Sequence, residues 1–139
     1  MFSDIFINAL RKKGIGFFSG VPDSYLHGFC SGLRDAIPKR NNVIAANEGN
    51  AISIAAGHYL ATGKLPLVYM QNSGLGNAIN PLVSMAGSNM LGIPMVILVG
   101  WRGDPLHPDH VQHELQGNIT PDLFELMDIP FFVLNKNVD

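Results

Sequence analysis

Short runs of apolar residues alternate along the chain with longer segments in which apolar positions recur at helical spacing. The short runs are bounded by glycine, proline or polar residues, and they predict strands at 15–19, 43–46, 65–70, 94–99 and 131–134. The longer segments predict helices that end near Gly14, Ala36, Ala61 and Leu91. Thr120 followed by Pro121 predicts the start of a short last helix.

Strands that are apolar throughout and alternate with helices predict a parallel sheet that is covered on both faces. We therefore expect one α/β domain, an open doubly wound parallel sheet with flavodoxin-like layering. In such sheets ligands bind beyond the carboxyl ends of the strands. The turns at that edge are 20–24, 47–49, 71–76 and 100–117, and they are also the segments richest in glycine and polar residues. Fold and composition thus indicate the same edge as the ligand site.

Composition limits the partners and the compartment. The 139 residues fit one domain, and 47% of them are hydrophobic, which is enough to bury a core. A formal net charge of −2 gives no electrostatic reason to expect nucleic acid or a membrane as partner. Cys30 is the one cysteine, which excludes an intrachain disulfide and favours a reduced, cytoplasmic setting. Because only 14% of the residues are charged, we expect a partner to cover part of the surface.

Three groups at the ligand edge have a structural explanation beside a functional one. Glu48 lies where a strand turns into a helix, and an acid in the first helical turn complements the helix dipole. The segment 72–76 suits a tight turn, and it lacks both the third glycine of a dinucleotide fingerprint and the lysine of a P-loop. Asp23 can cap a helix or form an Asx-turn. The residue pattern alone leaves these alternatives open.

The loop at 100–117 contains histidines that are spaced like metal ligands, namely His107, His110 and His113. No set of carboxylates or thiols stands at matching positions, so we predict solvated loop histidines and no metal site. Arg102 in the same loop is either an ordinary loop residue or a guanidinium that receives a phosphonate or carboxylate.

Two strand–turn–helix segments become recognisable when they are taken together. Asn-Glu-Gly-x-Ala at 47–51, followed by Gln-Asn-Ser-Gly-Leu-Gly-Asn at 71–77, resembles the pyrimidine-binding domain of thiamine-diphosphate-dependent decarboxylases. Gly-Val-Pro-Asp-Ser at 20–24, Gly-Trp-Arg-Gly at 100–103 and Gln-His-x-x-Gln-Gly at 112–117 agree with that resemblance. It runs over nearly the whole chain, and it is greatest to phosphonopyruvate decarboxylases and next to sulfopyruvate decarboxylases.

The resemblance implies roles for individual residues. In this family the glutamate that matches Glu48 hydrogen-bonds a ring nitrogen of the cofactor's aminopyrimidine, which promotes proton loss from the thiazolium carbon. Asp23 and His113 are implied to lie beside the substrate, with His110 as the alternative histidine. One turn is implied to form part of the cofactor pocket, and its residues are Asn72, Ser73, Gly74 and Leu75.

The family's Gly-Asp-Gly…Asn segment, which holds Mg²⁺ and the diphosphate of the cofactor, does not occur in this sequence. We therefore expect 1–139 to be a single pyrimidine-binding domain, a fragment or one subunit of a homo- or hetero-oligomer, inactive without a diphosphate-binding partner. The resemblance implies conversion of 3-phosphonopyruvate to phosphonoacetaldehyde and CO2. The alternatives are the alpha subunit of a sulfopyruvate decarboxylase, a non-catalytic assembly module and a flavodoxin-like binder of a small phosphate ligand.

Overall fold

The computed structural model describes residues 2–134, in which four strands alternate with helices. The strands are β1 (Phe18–Gly20), β2 (Asn42–Ile44), β3 (Leu67–Gln71) and β4 (Val96–Gly100). The helices are α1 (Phe2–Lys12), α2 (His27–Ala36), α3 (Glu48–Thr62), α4 (Leu75–Pro81) and α5 (Val111–Leu126). Short 3-10 turns at Lys39–Asn41 and Asn72–Gly74 precede β2 and α4, and α4 continues into a π-helical turn at Leu82–Ala86.

All neighbouring strands run parallel, in the order β2-β1-β3-β4. Ser19 of β1 is opposite Val43 of β2 and Val68 of β3, and Val68 is in turn opposite Ile97 of β4. The chain passes outward from β1 to β2 and then returns past β1 to β3. The strand order therefore reverses between β1 and β3, the position at which doubly wound sheets bind ligands. The predicted fold class is confirmed.

Two apolar clusters cover the two faces of the sheet, and β3 contributes to both. Leu67 and Tyr69 pack with buried residues of α1 and α2. Val68 and Met70 point to the opposite face and pack with buried residues of α3, α4 and α5. All four side chains are buried, so β3 is held on both faces and its carboxyl end is a firm support for a site.

Helix α3 begins and ends at residues suited to those positions. Asn47 is the N-cap, and its Oδ1 accepts a hydrogen bond of 2.9 Å from the backbone N–H of Asn50. The helix ends at Gly63, whose φ of 67° is in the left-handed region that glycine adopts without steric cost. Because the fully buried Ala51 is small, the helix lies close to the sheet. The cap places Glu48 in the first helical turn.

The segment after β4 departs from the prediction. Helix α5 begins at Val111, so the irregular loop is shorter than expected, and Thr120 and Pro121 lie inside the helix instead of starting one. Pro121 has no N–H to donate to the carbonyl of Gly117, but Trp101 Nε1 donates to that carbonyl at 2.9 Å. A contact across the fold therefore makes the proline acceptable within the helix.

The apolar segment at 131–134 does not form the predicted last strand, and that prediction is wrong. These residues have no regular secondary structure, and Phe132 is 92% exposed. Among the described strands β4 pairs with β3 alone, and a strand forms only where a neighbour shares its backbone hydrogen bonds. Within residues 2–134, no helix has the length and apolar character needed to cross a membrane.

Candidate functional site

The turns that follow the strands meet at one edge of the sheet, as predicted. Asp23 follows β1, Glu48 follows β2, and Gln71 is the last residue of β3. Because the strands are parallel, their carboxyl ends lie side by side. The loop after β4 joins them, since the Asn72 side chain donates to the main-chain carbonyl of Arg102 at 2.8 Å and accepts from its N–H at 3.2 Å. The structure thus assembles the turns of three strands and the β4 loop at one edge.

Glu48 begins α3, and its carboxyl reaches the start of α4. Asn77 Nδ2 donates to Glu48 Oε2 at 2.9 Å. Glu48 Oε1 accepts no hydrogen bond from any residue in the described part of the chain. The partly buried side chain lies against Gly74, where an added Cβ would overlap the carboxyl group. The site therefore contains a carboxyl group with one oxygen held and the other without a partner.

Asn77 is a site residue that the sequence analysis did not single out, although it ends the 71–77 motif. Its carbonyl oxygen is 2.8 Å from the position that a Cβ on Gly49 would take, and Pro81 Cγ is 3.7 Å from that position. The first turns of α3 and α4 are therefore in close contact. The signal that could have found this contact is the pair of glycines next to the two helix starts, Gly49 and Gly74.

The four residues predicted to line a cofactor pocket divide into two pairs. Asn72 and Leu75 are fully buried. Besides its main-chain bonds to the β4 loop, the Asn72 amide donates to Thr120 Oγ1 at 3.0 Å, and Leu75 packs in the core on the α3 face. Ser73 is exposed, and Gly74 lies under the glutamate carboxyl. In this arrangement Asn72 and Leu75 support the turn from within, and Ser73 and Gly74 adjoin the open carboxyl edge.

Asp23 forms the Asx-turn that its sequence allows, and it also reaches β3. The backbone N–H of Tyr25 donates to Asp23 Oδ2 at 2.9 Å. Gln71 Nε2 donates to Asp23 Oδ1 at 2.6 Å, and Ser73 Oγ donates to Gln71 Oε1 at 2.7 Å. The carboxylate also borders an open groove of about 650 Å³. The Asx-turn is therefore present, and Asp23 also lines this groove, whose other lining residues include His27 of α2 and Asn42 of β2.

Arg102 is bound by a residue that the sequence analysis missed, Asp109. Arg102 Nε and Nη2 donate to the two oxygens of Asp109 at 2.8 and 2.7 Å, and both side chains are largely buried, at 17% and 14% exposed. The backbone N–H groups of Gly103 and His110 donate to the same carboxylate at 2.9 and 2.8 Å. The guanidinium hydrogen bonds hold the pKa of Asp109 well below its usual range. The pair fastens the loop and occupies two donor atoms of the guanidinium.

The histidines of this segment are placed at the start of α5. His113 lies in the first turn of α5, and His110 is the N-cap residue that precedes the helix. The centroids of the two imidazole rings are 6.3 Å apart. His107 Nδ1 pairs with the Asp104 carboxylate. In the described range, His113 makes no hydrogen bond to either site carboxylate. Residues 2–134 contain no cluster of three or more His, Cys, Asp or Glu side chains able to hold a metal ion.

Comparison with known proteins identifies the family. Residues 1–126 match the domain family described as thiamine pyrophosphate enzyme, N-terminal TPP binding domain. The chain belongs to this family. The N-terminal TPP binding domain spans most of the chain and includes every site residue described above, so the predicted family is confirmed.

Relatives of this chain include phosphonopyruvate decarboxylases and sulfopyruvate decarboxylase alpha subunits. A phosphonopyruvate decarboxylase from Streptomyces viridochromogenes is 37% identical over 96% of this chain, and the chain spans only 32% of that relative. A sulfopyruvate decarboxylase subunit alpha from Methanocaldococcus jannaschii is 38% identical over 90% of this chain and 71% of the relative. The solved structure of a thiamine diphosphate-dependent 4-hydroxybenzoylformate decarboxylase from Rhodococcus jostii matches with a TM-score of 0.60 and 27% identity, over 83% of this chain and 22% of that one.

Proposed function

We propose that this chain is the pyrimidine-binding part of a thiamine-diphosphate-dependent decarboxylase that converts 3-phosphonopyruvate to phosphonoacetaldehyde and CO2. The observation that carries the proposal is the Glu48 carboxyl group, whose Oε2 is held by Asn77 and whose Oε1 has no partner among the described residues. The family match and the similarity to a phosphonopyruvate decarboxylase support it.

The surroundings of Glu48 fit the pyrimidine end of thiamine diphosphate. Such a group needs a carboxyl that can meet a ring nitrogen, and it needs space beside that carboxyl. The missing Cβ of Gly74 makes room for the Glu48 carboxyl itself, and Glu48 lies at the carboxyl edge of the sheet beside the switch between β1 and β3. When bound, the cofactor supplies the electron sink for decarboxylation.

The hydrogen bond from Asn77 distinguishes the two oxygens of the Glu48 carboxyl group. Oε2 accepts an N–H from Asn77, and an oxygen that accepts a donor cannot at the same time donate along that line. We infer that Oε1 is the oxygen that would face the ring nitrogen of the cofactor. Asn77, by holding Oε2, would keep the carboxyl group oriented for that contact.

Asp23 and His113 are assigned to the substrate side of the site. Asp23 borders the groove of about 650 Å³ and accepts an N–H donor at each oxygen, and we propose that this fixed carboxylate orients the substrate or acts as its acid–base group. His113 lies in the first turn of α5, directly after the loop that Asp109 fastens. We propose that His113, with His110 as the alternative, acts from this loop on the bound oxoacid.

The Gly-Asp-Gly…Asn segment that the family uses for Mg²⁺ and the diphosphate does not occur in residues 1–139. We propose that a diphosphate-binding domain or subunit holds Mg²⁺ and the diphosphate, and that the two halves form a homo- or hetero-oligomer in the cytoplasm. The relative named as a subunit alpha supports a subunit arrangement, since the chain spans 71% of its length. We expect the isolated chain to release no CO2.

Sulfopyruvate is the second candidate substrate, and the similarity to a sulfopyruvate decarboxylase subunit alpha favours it. Both oxoacids carry a tetrahedral anionic group that needs a cationic receptor. Arg102 has two donor atoms committed to Asp109, so its charge is largely compensated within this chain. We therefore propose that cations of the partner half discriminate between phosphonate and sulfonate.

The experiment is reconstitution of the chain with its diphosphate-binding half, thiamine diphosphate and Mg²⁺. CO2 release from phosphonopyruvate, sulfopyruvate and pyruvate is measured side by side, with the isolated chain as the control. We expect phosphonopyruvate to give the highest kcat/KM. Faster turnover of sulfopyruvate would transfer the assignment to the second candidate, and an assembled complex that releases no CO2 from any of the three would indicate an assembly module.

A further inference from the structure

The Gln71 side chain joins two strand ends at the switch point of the sheet. Gln71 is the last residue of β3, and its Nε2 donates to Oδ1 of Asp23 in the turn after β1 at 2.6 Å. The two residues are 48 positions apart in sequence, so only the parallel pairing of β1 with β3 brings them together. The bond spans the place where doubly wound sheets bind ligands.

The direction of the Gln71 amide is determined from both of its ends. An ionised Asp23 can only accept, so the nitrogen of the amide must face it. Ser73 Oγ donates to the amide oxygen at 2.7 Å, which satisfies the opposite end. A flipped amide would place its oxygen against the Asp23 carboxylate and would lose the Ser73 donor. One orientation therefore satisfies all three side chains.

Asp23 is held at each oxygen on the protein side. Oδ2 accepts the N–H of Tyr25 at 2.9 Å, and a Cβ on Gly100 would lie only 2.7 Å from it. The second oxygen, Oδ1, accepts the Gln71 amide N–H. With these contacts Asp23 borders the groove in a defined orientation.

We propose that Gln71 is a positioning residue that presents Asp23 to the substrate, and that Ser73 sets the direction of the Gln71 amide. This inference rests on the proposed function, because it concerns how the substrate-side carboxylate is held during decarboxylation. In this proposal Ser73 acts by orienting the Gln71 amide, and it does not need to contact the cofactor directly.

The test uses Gln71→Glu in the reconstituted enzyme, because the introduced carboxyl has the same shape but can donate to Asp23 only when it is protonated. Two carboxyls at hydrogen-bond distance share a proton at low pH and repel each other once both are ionised. We expect kcat of the variant to be about tenfold below the original enzyme near pH 8 and to approach it as the pH falls toward about 5.5. A constant ratio of the two rates across this range would overturn the proposal.

Two further variants separate positioning from folding. Gln71→Leu removes the donor and should lower kcat about tenfold at every pH, with KM changed less than kcat. Ser73→Ala should lower kcat by about threefold, and Ser88→Ala, at another exposed serine, should leave it unchanged. A Ser73→Ala enzyme with the original kcat would remove Ser73 from the proposal.

A measurement on the chain without cofactor keeps this inference distinct from the proposed function. The side-chain amide resonances of Gln71 should move in a nitrogen–proton correlation spectrum when Asp23→Asn is introduced, and they should stay in place in Ser88→Ala. Unchanged Gln71 resonances in Asp23→Asn would refute the link even if decarboxylation is found. Moved resonances in a chain whose complex releases no CO2 would refute the proposed function alone.

Discussion

Two carboxylates near the carboxyl edge of the sheet, Glu48 and Asp109, have opposite surroundings. Four N–H groups converge on Asp109, two from the Arg102 guanidinium and one each from the main chain of Gly103 and His110. Glu48 receives one N–H, from Asn77. Asp109 therefore has most of its acceptor capacity used within the protein, whereas one oxygen of Glu48 has no donor among the described residues.

The difference in the number of donors suits the two carboxyl groups to different uses. Donors stabilise the ionised form of a carboxyl group, so a saturated carboxylate such as Asp109 resists protonation and serves as a fastening point. A carboxyl with few donors can gain or share a proton at modest cost, which is what proton transfer requires. Glycines provide the space at Glu48, and the Arg102 pair provides rigidity at Asp109.

The largest expected effect is the loss of decarboxylase activity when the carboxyl group of Glu48 is replaced. Glu48→Gln keeps the shape of the side chain but replaces the carboxyl with an amide that cannot exchange a proton, so kcat of the reconstituted enzyme should fall by roughly two orders of magnitude or more. The urea midpoint of unfolding should change little, because the described residues give Glu48 a single hydrogen bond. An unchanged kcat would remove Glu48 from the proposed mechanism.

A glycine pair tests whether the space at Glu48 matters. Gly74→Ala would place a Cβ into the Glu48 side chain, so the carboxyl must move, and we expect kcat to fall by about tenfold or more. Gly76→Ala is the matched control, since a Cβ there meets nothing within 4 Å. The measurement is the rate of CO2 release at saturating substrate. An equal loss of activity in Gly74→Ala and Gly76→Ala would show that the space beside Glu48 is not the cause.

Replacing Asp109, the carboxylate that accepts four N–H groups, should lower the stability of the chain. Asp109→Asn places an amide among N–H donors and leaves Arg102 without its partner, so the thermal midpoint should fall by several degrees at neutral pH. Asp122→Asn, at an exposed acid of α5, should leave it unchanged. A midpoint that matches the original chain would show that the pair does not fasten the loop.

The effect of Asp109→Asn on the thermal midpoint should also depend on pH. The pKa of Asp109 is lower in the folded chain than its usual value, so its stabilising contribution is complete above about pH 4 and is lost as the pH falls below that value. The difference in thermal midpoint between the original chain and Asp109→Asn should therefore narrow between about pH 4 and pH 2. A constant difference over that range would contradict the assigned cause.

The smallest effect concerns the proline inside α5. Trp101→Phe removes the donor to the Gly117 carbonyl and should lower the free energy of unfolding by about 1 to 2 kcal/mol. Pro121→Ala supplies a backbone N–H that can bond the same carbonyl, so the double variant should lose less than the sum of the two single variants. Urea unfolding followed by circular dichroism measures this coupling, and strict additivity would argue against it.

The strands around the site were predictable from the sequence because their apolar runs are short and bounded by turn residues. The predicted runs 65–70 and 94–99 overlap β3 and β4, although the structure extends β3 to Gln71 and β4 to Gly100. The start of α5 was not predictable, since the histidines and prolines of 100–117 resemble a loop in local sequence. Its helical continuation through Pro121 depends on the indole of Trp101, twenty residues earlier.

The partners of the site residues were the least predictable part. Asn77, Gln71 and Asp109 are polar residues of ordinary appearance, and their roles arise from contacts with Glu48, Asp23 and Arg102. The first two contacts join different strand ends and span 29 and 48 positions. The burial of the Asn72 side chain within the turn at 72–75 also required the packing of α5 against it.

The sequence by itself determined the parallel α/β fold, the edge that carries the site and the family, because hydrophobic period and glycine-bearing turns are local properties. The tertiary structure decided which groups at that edge are fastened and which are open. A hydrogen bond depends on where an atom lies to within a few tenths of an ångström. The pairing of β1, β2 and β3 and the packing of α3 on α4 set those positions, and no local pattern encodes them.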